Sequence, residues 1–299
     1  MRHGLLIPIA FILPVMLAGC RLPGWDAPIS QSLVDSRKLS RQGVAAMEQG
    51  QQKQAETLLA KAVHACPSDT EARRNYAEIL WRRGAQKEAI AQMEMGVKTA
   101  NEDAAFRVRL AEMYLAAGKM EQAAQSARQA LDLDPKLAAA WAIQGGVLKS
   151  AGQPQQALAA YLHALGLDPQ DRKILFEVAE LYRQLNQPDR ALQTLQTLAD
   201  NYTPGEEPQN VLYLTGAAYL ALGRYDEAVE RMRIAVERGK PNSDLLCRLA
   251  EAEFLAGRSR EAAAAARQAL ALQPRHQPSL ELLQRIDVAQ QIQGERILK

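Results

Sequence analysis

The chain has 299 residues, 47% of them apolar and only 5% aromatic, and much of the apolar share is Ala, Leu and Val set among Gln, Glu, Lys and Arg. That is a helix-forming mixture, and strand-type runs are missing. A formal net charge of +2 leaves no basic excess for a polyanion, which argues against nucleic acid as a partner.

The chain opens "MRHGLLIPIAFILPVMLAGC", with a basic start at Arg2, an apolar stretch from Leu5 to Leu17, and then Leu17-Ala18-Gly19-Cys20. Pro8 and Pro14 interrupt the apolar stretch, which is too short for a good membrane-spanning helix. Residues 1–19 therefore read as a signal peptide with small residues at the cleavage point. The Leu-Ala-Gly-Cys ending resembles the lipobox of bacterial lipoproteins. That resemblance implies that the Cys20 sulfur receives a diacylglyceryl group, that the chain is cut before it, and that the new amino terminus is acylated in turn. The alternative is an ordinary signal peptide with a chance Cys. Two or three acyl chains would hold the mature protein on a membrane, because each buried methylene contributes about 0.8 kcal/mol. Arg21 follows the Cys where inner-membrane lipoproteins tend to carry Asp, which by resemblance implies the outer membrane, facing the periplasm. Residues 20–35, beginning "RLPGWDAPIS" after the Cys, are expected to be a lipidated tether.

Beyond the tether the chain repeats itself. Segments of 34 residues start at Ser36, Thr70, Ala104, Ala138 and Arg172, and two more start at Gln209 and Ser243. The twentieth place is Ala in all seven, from Ala55 to Ala262. The eighth is always Gly or Ala, which lets another backbone come close. The fifteenth is Gly in six segments and Asn186 in the fifth, the residue types that most readily take the left-handed conformation ending a helix. Pro67, Pro135, Pro169 and Pro274 close four of the second helices. Each segment thus predicts helix, turn, helix. The three-residue insertion in "ADNYTPGEEPQNV" predicts a longer loop, open to reading as a hinge, a partner contact or a tolerated insertion.

On these residues the sequence resembles the tetratricopeptide repeat family, most closely in the fourth segment at Trp141, Gly145, Gly152, Ala157, Tyr161, Ala164 and Pro169. It departs from the pattern at Arg73 and Arg107, which stand for a large apolar residue, and at Gly96 and Leu198, which stand for a small Ala. The resemblance implies an all-α, right-handed superhelical solenoid. Seven hairpins would occupy residues 36–276 and a capping helix residues 277–299. In the cap, Leu280, Leu283 and Ile286 are expected to face the last repeat, with Glu281 and Arg285 in water.

A search for chemistry returns no catalytic constellation, no metal-ligand spacing and no cofactor fingerprint. His64, His163 and His276 lie in different repeats. "GGVLKS" from Gly145 to Ser150 superficially suggests a phosphate loop but lacks its spacing and falls within a predicted helix. Cys66 and Cys247, several repeats apart, are expected to be small apolar fillers rather than a disulfide. The chain is not expected to be an enzyme.

What remains is surface. The fifth, ninth and twelfth places of each first helix form a stripe at i, i+4, i+7, and in the family that stripe lines the concave groove where peptides bind. Here it carries Arg74, Glu78 and Trp81, then Glu112, then Phe176, Glu180 and Arg183, then Tyr213, then Glu251 and Phe254. One reading is an apolar groove with an acidic line for a segment bearing aliphatic and basic side chains. The other is that the glutamates are solvated helix formers and the aromatics fill space between repeats. The expected function is a membrane-anchored scaffold that binds other proteins and supports assembly or secretion of a cell-envelope complex. The alternatives are a structural spacer, a self-associating envelope protein, or an undetected enzyme.

Overall fold

The computed structural model describes residues 30–99 and 103–297, with side chains placed as far as residue 292. The leader and Cys20 lie outside the described residues. Among those described there are fifteen helices and no strand. They run α1 Gln31–Glu48, α2 Gln52–Ala65, α3 Thr70–Arg82, α4 Gln86–Thr99, α5 Ala104–Ala116, α6 Met120–Leu133, α7 Ala138–Ser150 and α8 Pro154–Leu167. There follow α9 Arg172–Gln184, α10 Pro188–Ala199, α11 Gln209–Ala221, α12 Tyr225–Arg238, α13 Ser243–Leu255, α14 Ser259–Leu272 and α15 Gln277–Ile297. Helix α1 starts five residues ahead of Ser36, so the last part of the segment expected as tether is helical.

The hairpin turn is the same in all seven repeats. Asn186 (φ 54°) and the six fifteenth-place glycines from Gly50 to Gly257 are left-handed. In each case the next N–H reaches back five residues to a carbonyl of the first helix, from Gln51 to Ala46 O at 2.9 Å through to Arg258 to Glu253 O at 2.8 Å. This bond satisfies a carbonyl that the helix end would otherwise leave open. Five of the seven first helices instead begin on side-chain caps, α7 after Leu137 and α11 after Pro208 being the exceptions. Asp69 accepts from the N–H groups of Glu71 and Ala72, and Asp171 from those of Lys173 and Ile174. Asp103 and Asn242 each cap one N–H.

Inside three hairpins a glycine at the eighth place makes room for the side chain at the twenty-fourth. A Cβ on Gly43 would lie 2.6 Å from Leu59 Cγ, one on Gly145 2.8 Å from the Tyr161 ring, and one on Gly216 2.6 Å from Met232 Cγ. Where the eighth place is Ala, it faces Met93, Ala127, Leu195 or Ala266. Between hairpins a second match holds. Gly96 stands where five of the other six repeats carry Ala because Phe106 of the next repeat fills the space, its Cζ 2.3 Å from where a Cβ would be.

The arginines at the fourth place are also accommodated. Arg73 Nε donates to Pro67 O at 2.8 Å, and Trp141 Nε1 donates to Pro135 O, six residues back in both cases, at 3.1 Å. The guanidinium thus repeats the hydrogen bond of the indole. Trp141 stacks on His163 with centroids 4.1 Å apart, and Arg107 bonds Gln129 Oε1 at 2.6 Å.

The cap corrects an expectation. Leu280 is exposed, and the face against the last hairpin is made by Ser279, Leu282 and Ile286, with Leu283 half-buried. Helix α15 occupies the place of an eighth first helix, so it packs backwards through its third, sixth and tenth places. The fourth place, Leu280, would meet a second helix of its own repeat, and α15 is followed by none among the described residues. Glu281 and Arg285 are exposed, as expected. The insertion is tied down rather than loose. Arg172 lies over the Tyr202 ring at 4.9 Å, Asn201 donates to Gln170 O, and Arg238 donates to Gly205 O.

Candidate protein-binding face

Successive helices pack in chain order, and the first helices also touch one another: α1 with α3, α5 with α7, α9 with α11, α11 with α13, and α13 with α15. No comparable contact joins successive second helices. The layer of first helices is therefore the more tightly gathered one, and the array curves with that layer inside. Its free stripe is the inner face.

The stripe residues sit on this face in different states. Trp81, Phe176, Tyr213 and Phe254 are half-buried, each with part of its ring packed against the core and part facing out. Arg74 and Arg183 are exposed. The third and tenth places, which the i, i+4, i+7 reading did not single out, are the deeply buried ones, for example Phe106 with Met113 and Ile174 with Leu181. They join each repeat to the one before it.

The electrostatics revise the acidic line. Every glutamate in it is paired with an arginine of the chain. Glu78 meets Arg82 at 3.4 Å and Arg109 of the next repeat, and Arg109 also binds Glu112 at 2.7 Å. Glu180 pairs with Arg183 at 2.9 Å and Glu251 with Arg248 at 2.7 Å. Burial alone would lower the pKa of Arg109, but hydrogen bonds to Glu112 and Glu78 outweigh it and hold the guanidinium above its ordinary value. Arg248 is raised in the same way, the Glu251 bond prevailing over burial. Lys149 and Glu177 make another cross-repeat pair at 2.6 Å. The acidic line is thus neutralised, Arg74 stays an exposed cation at one end of the face, and uncharged stretches lie between the ion pairs, at Leu115, Ala142 and Gly146 and again at Tyr213, Ala217 and Leu220.

The sixth-place partners, Arg109, Glu177 and Arg248, were missed in the sequence. All three stand three residues before a ninth-place Glu, a spacing that brings side chains together on a helix, and at Arg109 and Arg248 the charges are opposite. Cys66 and Cys247 are buried free thiols, and burial pushes the Cys247 thiol above its ordinary pKa. Among the described residues no group of three or more His, Cys, Asp or Glu is placed to hold a metal ion. No helix there is long and apolar enough to cross a membrane.

Profiles described as tetratricopeptide repeat match residues 40–104, 104–137, 148–212 and 213–276. The chain belongs to the tetratricopeptide repeat family. No curated protein matches it. Among solved structures it is similar to PilW, a type IV pilus biogenesis factor, with a TM-score of 0.61 at 17% identity over 72% of this chain and 98% of that one. A tetratricopeptide repeat protein from Parabacteroides merdae gives a TM-score of 0.59 at 16% identity, covering 86% and 99%. YrrB, a tetratricopeptide repeat protein with an unusual peptide-binding site, gives 0.56 at 20% identity, covering 63% and 96%. At these identities the likeness shows the fold.

Proposed function

We propose that this chain is a lipid-anchored scaffold of the bacterial cell envelope whose inner face binds segments of other proteins. The observation that carries the binding reading is the inner face itself. It presents four half-buried aromatic rings along one curved layer whose glutamates are already paired within the chain. Half-exposed aromatics anchored in a rigid wall can cover a partner's apolar side chains with little loss of side-chain entropy. The peptide-binding site of YrrB and the part of PilW in pilus biogenesis support a role in recruiting proteins to an envelope assembly.

The anchor reading rests on the Leu-Ala-Gly-Cys20 sequence, and Arg21 after the Cys supports the outer membrane, facing the periplasm, as its site. Two experiments test the reading separately. Cys20→Ala should move the protein out of the membrane fraction, and unchanged sedimentation with membranes would remove the anchor. Trp81→Ala combined with Phe176→Ala should abolish partner recovery while leaving helical circular dichroism intact. Equal recovery by both forms would show that the inner face is not the contact surface.

A further inference from the structure

Four of the seven hairpins carry Glu at the ninth place, but the fourth carries Gly146, the second glycine of "GGVLKS". Beneath it, α8 sends Tyr161 across α7. A Cβ on Gly145 would lie 2.8–2.9 Å from three ring carbons of Tyr161. One on Gly146 would lie 3.4 Å from the Tyr161 hydroxyl and 3.0 Å from Leu115 Cδ2. Gly145 therefore admits the ring, and Gly146 leaves the hydroxyl uncovered at the inner face.

Tyr161 is 6% exposed. Its hydroxyl has no hydrogen-bond partner among the described residues and stays open to solvent. The contrast with its neighbours is clear. The twenty-fourth place is Leu, Met or Ala in every other repeat, and the half-packed hydroxyl of Tyr114 is bonded to Glu94 at 2.6 Å. A polar atom has been carried through the core to the floor of a notch and given nothing to bind there.

We propose that this notch is a hydrogen-bonding subsite, in which the Tyr161 hydroxyl donates to a backbone carbonyl of an uncharged, small-residue segment of a partner protein. The proposal rests on the inner-face reading above and names what one part of that face selects. Three observations define the ligand. First, Burial and then the nearby Glu177 charge raise the Tyr161 pKa, so the group is a neutral donor at physiological pH. Second, Lys149 and Glu177 neutralise one another beside it; a carboxylate ligand would face Glu177 and a cation would face Lys149, which leaves a neutral acceptor. Third, the helical neighbour one turn before Gly146 is Ala142, and Leu115 walls the opposite side, so a main chain can approach the hydroxyl only where its own side chains are small.

The test uses the protein without its leader, a random-peptide phage library as probe, and synthetic copies of the enriched peptides. Affinities are measured for the wild type, for Tyr161→Phe, which removes only the hydroxyl, and for Gly146→Ala, which covers it. The double variant Trp81→Ala, Phe176→Ala is measured alongside. The expected result is a loss of about two- to twelvefold for Tyr161→Phe, the range of one neutral hydrogen bond, with an unchanged thermal midpoint. Replacing the recognised peptide amide by an ester, a poorer acceptor, should weaken binding to the wild type but not to Tyr161→Phe. Peptides that need Trp81 and Phe176 but bind Tyr161→Phe as tightly as wild type overturn the notch and leave the inner-face reading standing. Peptides indifferent to all variants, or a library that yields no binder, overturn both.

Discussion

Replacing Gly96 by Ala sets a methyl group against a ring that has nowhere to go. Its Cβ would lie 2.3, 2.8 and 3.2 Å from Phe106 Cζ, Cε1 and Cε2, and Phe106 is 1% exposed. Overpacking of this kind costs about 1–3 kcal/mol, and exchanging Gly for Ala within a helix returns roughly 0.5–1 kcal/mol. That leaves about 0–2.5 kcal/mol, and the approach of 2.3 Å to a buried ring puts the expected net loss in the upper half of this range. Phe106→Ala should cost about 3–5 kcal/mol through the cavity it leaves. The double variant recreates the Ala–Ala pairing that the chain uses at Ala62 with Ala72 and at Ala130 with Ala140. It should therefore be more stable than Phe106→Ala alone, with a coupling of about 1–3 kcal/mol between the sites. Urea unfolding followed by circular dichroism measures all four forms. Additive losses, or a Gly96→Ala protein as stable as wild type, would refute the claim that these two residues were chosen for each other's volume.

Asp69→Ala removes the acceptor for the N–H groups of Glu71 and Ala72 and for the Ser36 hydroxyl, which donates at 2.8 Å. It should destabilise the first two hairpins by about 1–2 kcal/mol, read as faster amide exchange in α1 to α3. Asn186→Gly relieves the one non-glycine left-handed residue among those described and should raise the unfolding midpoint by an amount worth a few tenths to about 1 kcal/mol. Arg109→Met breaks the link between Glu78 and Glu112. Its destabilisation, about 0.5–1 kcal/mol at low ionic strength, should shrink toward zero at about 1 M salt.

The turn chemistry was fully written in the sequence, because one residue type per repeat decides whether the chain can turn left-handed, and Asn186 served as well as glycine. The small residues at the eighth and twentieth places announced close packing for the same reason: only a missing side chain allows it. Other features depend on partners far away in the chain. Gly96 looks like a defect until Phe106 is placed against it, and Arg73 looks misplaced until its Nε is seen to copy the hydrogen bond of Trp141. The acidic line dissolved because Glu78 finds Arg109 in the next repeat, 31 residues on, a distance that helical spacing within one segment does not reveal. Leu280 was assigned to the wrong side because the cap packs in the frame of the repeats and lacks the second helix that this residue would meet. Tyr161 matched its family place by ring size alone, and its hydroxyl became visible only with Gly146 above it.

The central claim is that partners are held by the inner layer of first helices. A photo-crosslinking amino acid placed at Ala142 or Ala217, on that layer, and at the exposed residues Asp132 and Arg267 on second helices, tests it in the native envelope. Partner adducts are expected from positions 142 and 217, and they should disappear in the Trp81→Ala, Phe176→Ala background. Adducts from positions 132 or 267 alone, or inner-layer adducts that survive that double change, would contradict it.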